Sequence, residues 1–481
     1  MSNLNYNLIK FNFPLTHTID TEYFMKKFAS LLAVLVAINL ITSVNATQAP
    51  SRTNAQALVD NVIGSYPQLM VLGMHAVVPG KDTSSIIASN IGRIGKIDDE
   101  DDLIAFKKDT PVFEAVKEKH RYEVLIPMRQ QDGKAIGVLG IVFKWNGEDE
   151  KKFLTTATRI RDDIQHKISS LSFLLQPAAE NTPLLTAAAT VLIENSKGKF
   201  DFLDVDNVNH VLLAAHEKDE TSDFIDLNSN KLVARVKTGP AVHIALVPTL
   251  NQYFVSASSD KKVIVLDQKT LKQVGEIPTE GELDAIIYNP KNQKVYVTND
   301  ESTHVYVIDP KTQKVTATID IPSAPEYMVY DEATDKIYLN LKEENAIAVI
   351  DPVSNKMTSL WPVAPATGPH GLAFNPLTNH LFVAGANGKL AVLDSKTGKV
   401  IGSTSIVEKV DQNVFDPITR RIYCAGPGFM SVVQETDSGF EFLGNVPTAE
   451  TAKNVAVDPE NHVIWTTYTD GTNSYAKSWR P

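Results

Sequence analysis

Five aspartates, Asp226, Asp267, Asp309, Asp351 and Asp394, each end a short alternating apolar run, and they follow one another at steps of 41, 42, 42 and 43 residues. The runs read "KVIVLD", "HVYVID", "AIAVID" and "KLAVLD" from the second onward. A second marker keeps the same period: Pro248, Pro290, Glu332, Pro376, Pro417 and Pro459 close "ALVP", "IYNP", "VYDE", "AFNP", "VFDP" and "AVDP". A fixed period of this length is the mark of a repeat architecture and has to be settled before any other feature is read.

Within each unit, three clear alternating runs and a looser fourth are separated by polar turns such as "NPKNQK" and "DPKTQK". Alternation at period two means strands, so each unit predicts a four-stranded antiparallel sheet. Such a sheet cannot bury both faces alone, whereas radial stacking of copies buries them and protects the edges. The expected fold is therefore mainly β, a seven-bladed β-propeller. Its blades start near Phe200, Ala241, Leu283, Pro325, His370, Val410 and Lys453. The last unit stops after three strands, and "LLTAAATVLIEN" (Leu184 to Asn195) is expected to supply its fourth, because an unpaired edge invites aggregation. The aspartates are expected to cap turns through their carboxylates.

The literal "YVTN" at Tyr296 to Asn299, followed by "VIDPKTQKVTATIDIPSAP", resembles the YVTN-repeat, or YncE-like, bacterial propeller family over residues 184 to 481. The resemblance implies the fold. It implies little chemistry, since the repeated residues belong to turns and cores.

Residues 50 to 172 lack the period and predict a small α+β domain. "NAQALVDNVIGSY" places Ala55, Leu58, Val59 and Val62 on one helical face, and "DEKKFLTTATRIRDDIQHKI" does the same with Phe153, Ala157, Ile160, Ile164 and Ile168. Between them a helix is expected through "PVFEAVKEK", and a hairpin in "YEVLIPMRQQDGKAIGVLGIVF" turning at Asp132-Gly133. The segment is similar to extracytoplasmic sensor modules of the Cache or PAS-like type, with "IIASNIGRIGK" similar to the stretch before that family's central helix. That resemblance implies a small molecule bound between sheet and loops. The candidate contacts are His75, Ser89, Tyr122 and Arg129. Residues 173 to 183, around "SFLLQPAAENTP", read as the linker.

Ahead of this domain, "MKKFASLLAVLVAINLITSVNA" (Met25 to Ala46) has the basic start, apolar middle and small-residue end of a secretory signal. Cleavage after Ala46 would leave Thr47 as the mature N-terminus in the periplasm or outside the cell, with residues 1 to 24 an upstream extension. A lone cysteine, Cys424, is in keeping with export and reads as a buried apolar residue. The net charge of -11 argues against nucleic acid as a partner and leaves small molecules, cations or periplasmic proteins. A monomer without a membrane span is expected for the mature form.

The starts of the innermost strands ring one mouth of a propeller channel. Asp201, His243, Asp284, Glu326, His370, Asp411 and Lys453 fall there. Carboxylates and imidazoles together suit a divalent cation, and a hydrated acidic vestibule is the plainer reading. No other cofactor is expected. "DSKTGKVIG" begins like the docking motif of quinoprotein propellers, but Gly402 stands at the tryptophan position. The chain has no G-x-S-x-G, P-loop, H-E-x-x-H or C-x-x-C. The sequence thus points to an exported, non-catalytic binding or scaffold protein, with a metal-assisted, lactonase-like hydrolase at the channel mouth as the alternative.

Overall fold

The computed structural model describes residues 52–481 apart from 64, 65, 67, 68, 118, 119, 146, 179–182, 197, 301 and 438. The secretory signal and the upstream extension lie outside the described residues.

The first part is an antiparallel sheet of β1 (Leu69–Val77), β2 (Ser84–Ser89), β3 (Val112–Val116), β4 (Arg121–Arg129) and β5 (Ala135–Lys144), in the order β2-β1-β5-β4-β3. Four helices accompany it: α1 (Asn54–Ile63), α2 (Glu100–Lys108), α3 (Glu150–Gln165) and α4 (Leu171–Leu175). Strand alternation gives the sheet two unlike faces. Leu72, Met74, Val124, Ile126, Leu139 and Ile141 pack with the apolar sides of α1 and α3, where Phe153 stacks 5.0 Å from Tyr122. On the other face α2 covers only Leu125 and Val138, through Ala105. The rest of that face, where His75 and Val142 are each 8% exposed, borders a cavity against the propeller.

"PVFEAVKEK" departs from the expected helix: Val112–Val116 is the edge strand β3, with Phe113 opposite Val124 and Ala115 opposite Tyr122. Ladder pairing along β4 outweighs the helical preference of Glu, Ala and Lys, which is a weak prior. The helix lies just before it. Asp99 is the N-cap of α2, Glu100, Asp101 and Asp102 fill its first turn, and Lys107 and Lys108 its last, a charge order that suits the helix dipole.

Seven four-stranded antiparallel sheets follow, and successive innermost strands pack side by side until the seventh meets the first. The seventh sheet holds Val455–Asp458, Val463–Thr469, Ser474–Arg480 and, outermost, β6 (Thr186–Ile193). The strand ahead of the first blade therefore closes the ring, with Ala476 opposite Val191. Each repeat aspartate accepts a backbone N–H three residues on: Ser229 to Asp226, Thr270 to Asp267, Thr312 to Asp309, Ser354 to Asp351 and Thr397 to Asp394, at 2.6–3.3 Å. The second marker is also a cap. Asn289, Asp331, Asn375, Asp416 and Asp458 each accept the N–H of the residue two on. Both periods are thus set by turns whose capping carboxylate or amide must recur once per blade.

Candidate functional site

Two regions gather polar side chains, at opposite ends of the innermost strands. Pro369–Asn375 shows the geometry: His370 stands at its beginning, near one channel mouth, and Asn375 at its end, on the other face.

At the first mouth, Asp201, Asp284, Glu326 and Asp411 lie near enough to act on one another's charge. Burial pushes Asp201 up to about 7, with Lys199 opposing and Asp411 and Glu217 adding. Burial also raises Asp284, helped by Glu326, Asp201, Asp300 and Asp411. Glu326 rises through burial, with His370 and Lys342 working against it. Lys342 Nζ stands 2.5 Å and His370 Nε2 3.8 Å from Glu326. Lys453 is present through its carbonyl, which accepts the Gln412 N–H. His243 is elsewhere in function. It is 1% exposed, its Nε2–H donates to Asp204 at 2.8 Å, its Nδ1 accepts the Ile286 N–H at 3.0 Å, and it packs on Phe202 and Tyr327. Both ring nitrogens join neighbouring blades, so the ring offers nothing to a ligand. Among the described residues, the mouth does not bring three ligand atoms within 4.8 Å of one another; the group that does is His75, Asp98 and Asp102.

That group borders the second region, a cavity of about 600 Å³ between the open face of the sheet and the propeller. Its floor carries Gly73, His75, Glu123, Leu125, Gly140 and Val142, the residues alternate to the apolar face. Its far wall is built by the capped turns of the fifth and sixth blades: Asn375, Leu377, Thr378, Pro417, Ile418 and Arg420. The repeat markers Pro376 and Pro417 thus sit in the turns that meet the first domain.

His75 is 8% exposed, and its Nδ1 stands 2.8 Å from Asp98 and 3.5 Å from Asp102. Burial opposes a charged ring, but the Asp98 hydrogen bond and the Asp102 carboxylate raise its pKa. Burial in turn lifts Asp102 to about 6, held back by His75. Among the described residues Nε2 has no hydrogen bond, and it lies between Gly73 and Gly140, which face each other across β1 and β5. A Cβ at either would come within 3.1–3.2 Å of that nitrogen. The two glycines therefore keep a window over it.

Ser89 also borders the cavity, with its Oγ accepting the Ile91 N–H. Tyr122 and Arg129 are placed apart from it. Tyr122 is 2% exposed in the core on the opposite face, since it alternates with Arg121 and Glu123. Arg129 pairs with Asp109 and the Gly133 carbonyl at the solvent end of β4. The contribution of the propeller, Thr378 and Arg420 above all, escaped sequence reasoning. A cue was available in "DPITRR", the one such turn that ends on two arginines.

Arg420 and its neighbours fix the wall. Arg420 Nη1 donates to the Ile91 carbonyl at 3.0 Å, Asn90 Nδ2 to the Ile418 carbonyl at 3.2 Å, and Arg93 pairs with Asp437. Beneath them Glu435, wholly buried, accepts from Asn375, Thr378, His380 and Arg420 at 2.6–3.3 Å.

A third constellation has the order of a hydrolytic triad. Ser196 Oγ is 3.2 Å from His216 Nε2, and His216 Nδ1 is 2.7 Å from Asp223. Ser196 is 1% and His216 0% exposed, and Phe200 stacks 3.7 Å over the imidazole. A nucleophile must reach a substrate carbonyl. Here Ser196 instead donates to Ser474 of the last blade, so the network pins the ring closure. Cys424 is buried too, and burial pushes its thiol up, away from thiolate chemistry. Gly402 packs beneath Phe440, where a Cβ would meet the ring at 2.6 Å, which leaves no room for a docking tryptophan.

Residues 213–377 match the cytochrome D1 heme domain family. Among solved structures the chain is similar to Kuenenia stuttgartiensis hydrazine synthase, at 13% identity and a TM-score of 0.51, covering 59% of this chain and 96% of that one. It is also similar to a chain of a mitotic checkpoint complex, at 14% identity and a TM-score of 0.54, covering 62% and 92%. No curated protein matches it in sequence. At these identities the likeness is one of fold, the propeller.

A haem needs an axial side chain free to reach iron. In the matched stretch His216 and His243 spend both nitrogens on protein groups, whereas His304 and His370 bond or pair through Nδ1 and have no Nε2 hydrogen bond among the described residues, with His370 Nε2 3.8 Å from Glu326.

Proposed function

We propose that this is a binding protein of the cell exterior whose small-molecule site is the cavity between the α+β domain and the fifth and sixth blades. One observation carries the reading: the walls come from both parts of the chain, so a ligand there touches His75 and Gly140 on one side and Thr378 and Arg420 on the other. Clefts of this size with a few convergent polar groups are the usual form of small-molecule sites. The Cache or PAS-like reading is supported by a five-stranded antiparallel sheet with α1 and α3 on one face, and α2 beside a cavity on the other. The propeller then serves as a rigid partner that completes the site and presents its remaining surface to periplasmic proteins. The secretory signal supports that location, and the net charge of -11 speaks against nucleic acid.

The lactonase-like alternative has less support, because among the described residues the mouth does not bring three metal-ligand atoms together and the Ser-His-Asp network is closed to substrate. Among the described residues no helix is long and apolar enough to cross a membrane.

Native mass spectrometry of the chain from Thr47 onward, purified gently from a periplasmic extract, tests the proposal. A retained small-molecule mass that disappears in Gly140→Leu and persists in Asp284→Asn supports it. A mass lost from Asp284→Asn but kept by Gly140→Leu overturns it in favour of the mouth.

A further inference from the structure

The donor set at the edge of the cavity has a chemistry of its own. His75 on β1, Asp98 before α2 and Asp102 in its first turn come from two elements, and their side chains are 10%, 2% and 9% exposed. Helix capping explains one contact only, the Asp99 N–H donated to Asp102 Oδ2 at 3.3 Å. It explains neither Asp98 nor His75. Asp98 has a single side-chain hydrogen bond, to the imidazole, and its other oxygen has none among the described residues. Two buried carboxylates thus face one imidazole, with no lysine or arginine paired to either, an arrangement short of positive charge.

The spacing suits a cation. Donors bound to one first-row ion at about 2.0–2.2 Å stand roughly 3–3.5 Å apart. Nδ1 is 3.5 Å from Asp102, within that range, and 2.8 Å from Asp98, a hydrogen bond that an ion would replace as the pair opens slightly; all three ligand atoms lie within 4.8 Å of one another. The second observation is access. His75 and Asp102 both line the cavity, so an ion held between Nδ1 and the two carboxylates borders that space, while Nε2 lies on the opposite edge of the ring against Gly73 and Gly140.

We propose that His75, Asp98 and Asp102 form a three-donor site for a first-row divalent cation, with a coordination position facing the cavity. One imidazole nitrogen with two carboxylate oxygens is a borderline set that favours Zn²⁺ or Mn²⁺ over the all-oxygen shells of Ca²⁺. Three protein ligands leave room for a further ligand. The site shares the cavity of the proposed function without depending on an organic ligand.

The test is titration of the full chain from Thr47, stripped with chelator, with Zn²⁺ alone and Mn²⁺ alone, followed by calorimetry and bound-metal analysis. One equivalent is expected. His75→Ala and Asp98→Asn are each expected to weaken it by at least ~10-fold, with Asp284→Asn unchanged. Co²⁺ absorption gives a readout independent of stability: a d–d band in the native chain, altered in the near-isosteric Asp102→Asn. Failure of both metals to bind, or equal binding by the native chain and folded His75→Ala, overturns the site. A chain that binds metal but retains no organic mass refutes the small-molecule reading alone, and the converse refutes the metal alone.

Discussion

Arg421, on the second strand of the sixth blade, and Asp60, on α1, form an ion pair of 2.6 Å with both side chains at most 2% exposed. Arg52 adds a second cation at 2.8 Å and Gln56 donates to the other side of the carboxylate. Burial would raise Asp60, but Arg421 and Arg52 more than offset it and hold the carboxyl below its usual range. The pair joins the α+β domain to the propeller at the same blade that walls the cavity.

Removing one partner leaves a buried charge unpaired, which costs about 3–5 kcal/mol. Asp60→Ala is therefore expected to lower stability by that amount in chemical denaturation and to expose Arg421. Asp60→Leu with Arg421→Met should recover part of it, since Arg52 also loses its contact with this carboxylate. The sign with pH follows from a lowered folded-state pKa: the contribution is full above the unfolded carboxylate range and is lost as pH falls through the folded value. Acid should loosen the domain contact first, which hydrogen exchange around Ile91 and Ile418 would report.

Ring closure rests on β6. Val191 is 5% exposed in a cluster with Trp465 and Ala476. Val191→Asp is expected to cost ~3 kcal/mol or more by burying an unpaired charge. It should also make the last blade exchange first, where Thr190→Lys on the exposed side of the same strand should change stability little.

Asp201 carries the opposite sign. Its folded-state pKa, about 7, lies above the unfolded value, so the folded chain holds the extra proton and stability falls as pH rises from about 4 to 7. Asp201→Asn should flatten that slope and stabilise the chain at pH 8. An unchanged slope would mean that burial does not hold Asp201 protonated in the folded chain.

Ser196 is expected to resist fluorophosphonate labelling in the folded chain, because its hydroxyl is buried and bonded to Ser474. Ser196→Ala should cost about 1 kcal/mol of stability, the ordinary worth of a hydrogen bond. Labelling measured by intact mass would show whether substrate has access.

The blades were legible because turn caps recur once per unit, and a cap is a local demand on one residue type. Asp309 must accept the Thr312 N–H whatever surrounds it. The closing strand was legible for a related reason, since a three-stranded last unit leaves an edge that must be covered. β3 was not, because "FEAVKEK" becomes a strand only through its partner β4, a contact that local composition does not encode. The site divides in the same way. His75 could be picked out as a polar residue on a strand, but Tyr122 could not be told from Glu123 without knowing which face of the sheet was covered. Arg420 and Thr378 lie some three hundred residues from His75, and only the docking of the fifth and sixth blades brings them together. Channel-mouth residues were readable from period alone, yet His243 shows the limit, because the same position turns its ring between blades.

The most direct measurement is a crystal structure of the chain from Thr47 onward, purified from a native extract without chelator. The account predicts density in the cavity in contact with the sheet floor at Gly140 and with Arg420 or Thr378 of the propeller. Density confined to the channel mouth, beside Asp284 and Glu326, with the cavity filled only by solvent, would contradict it.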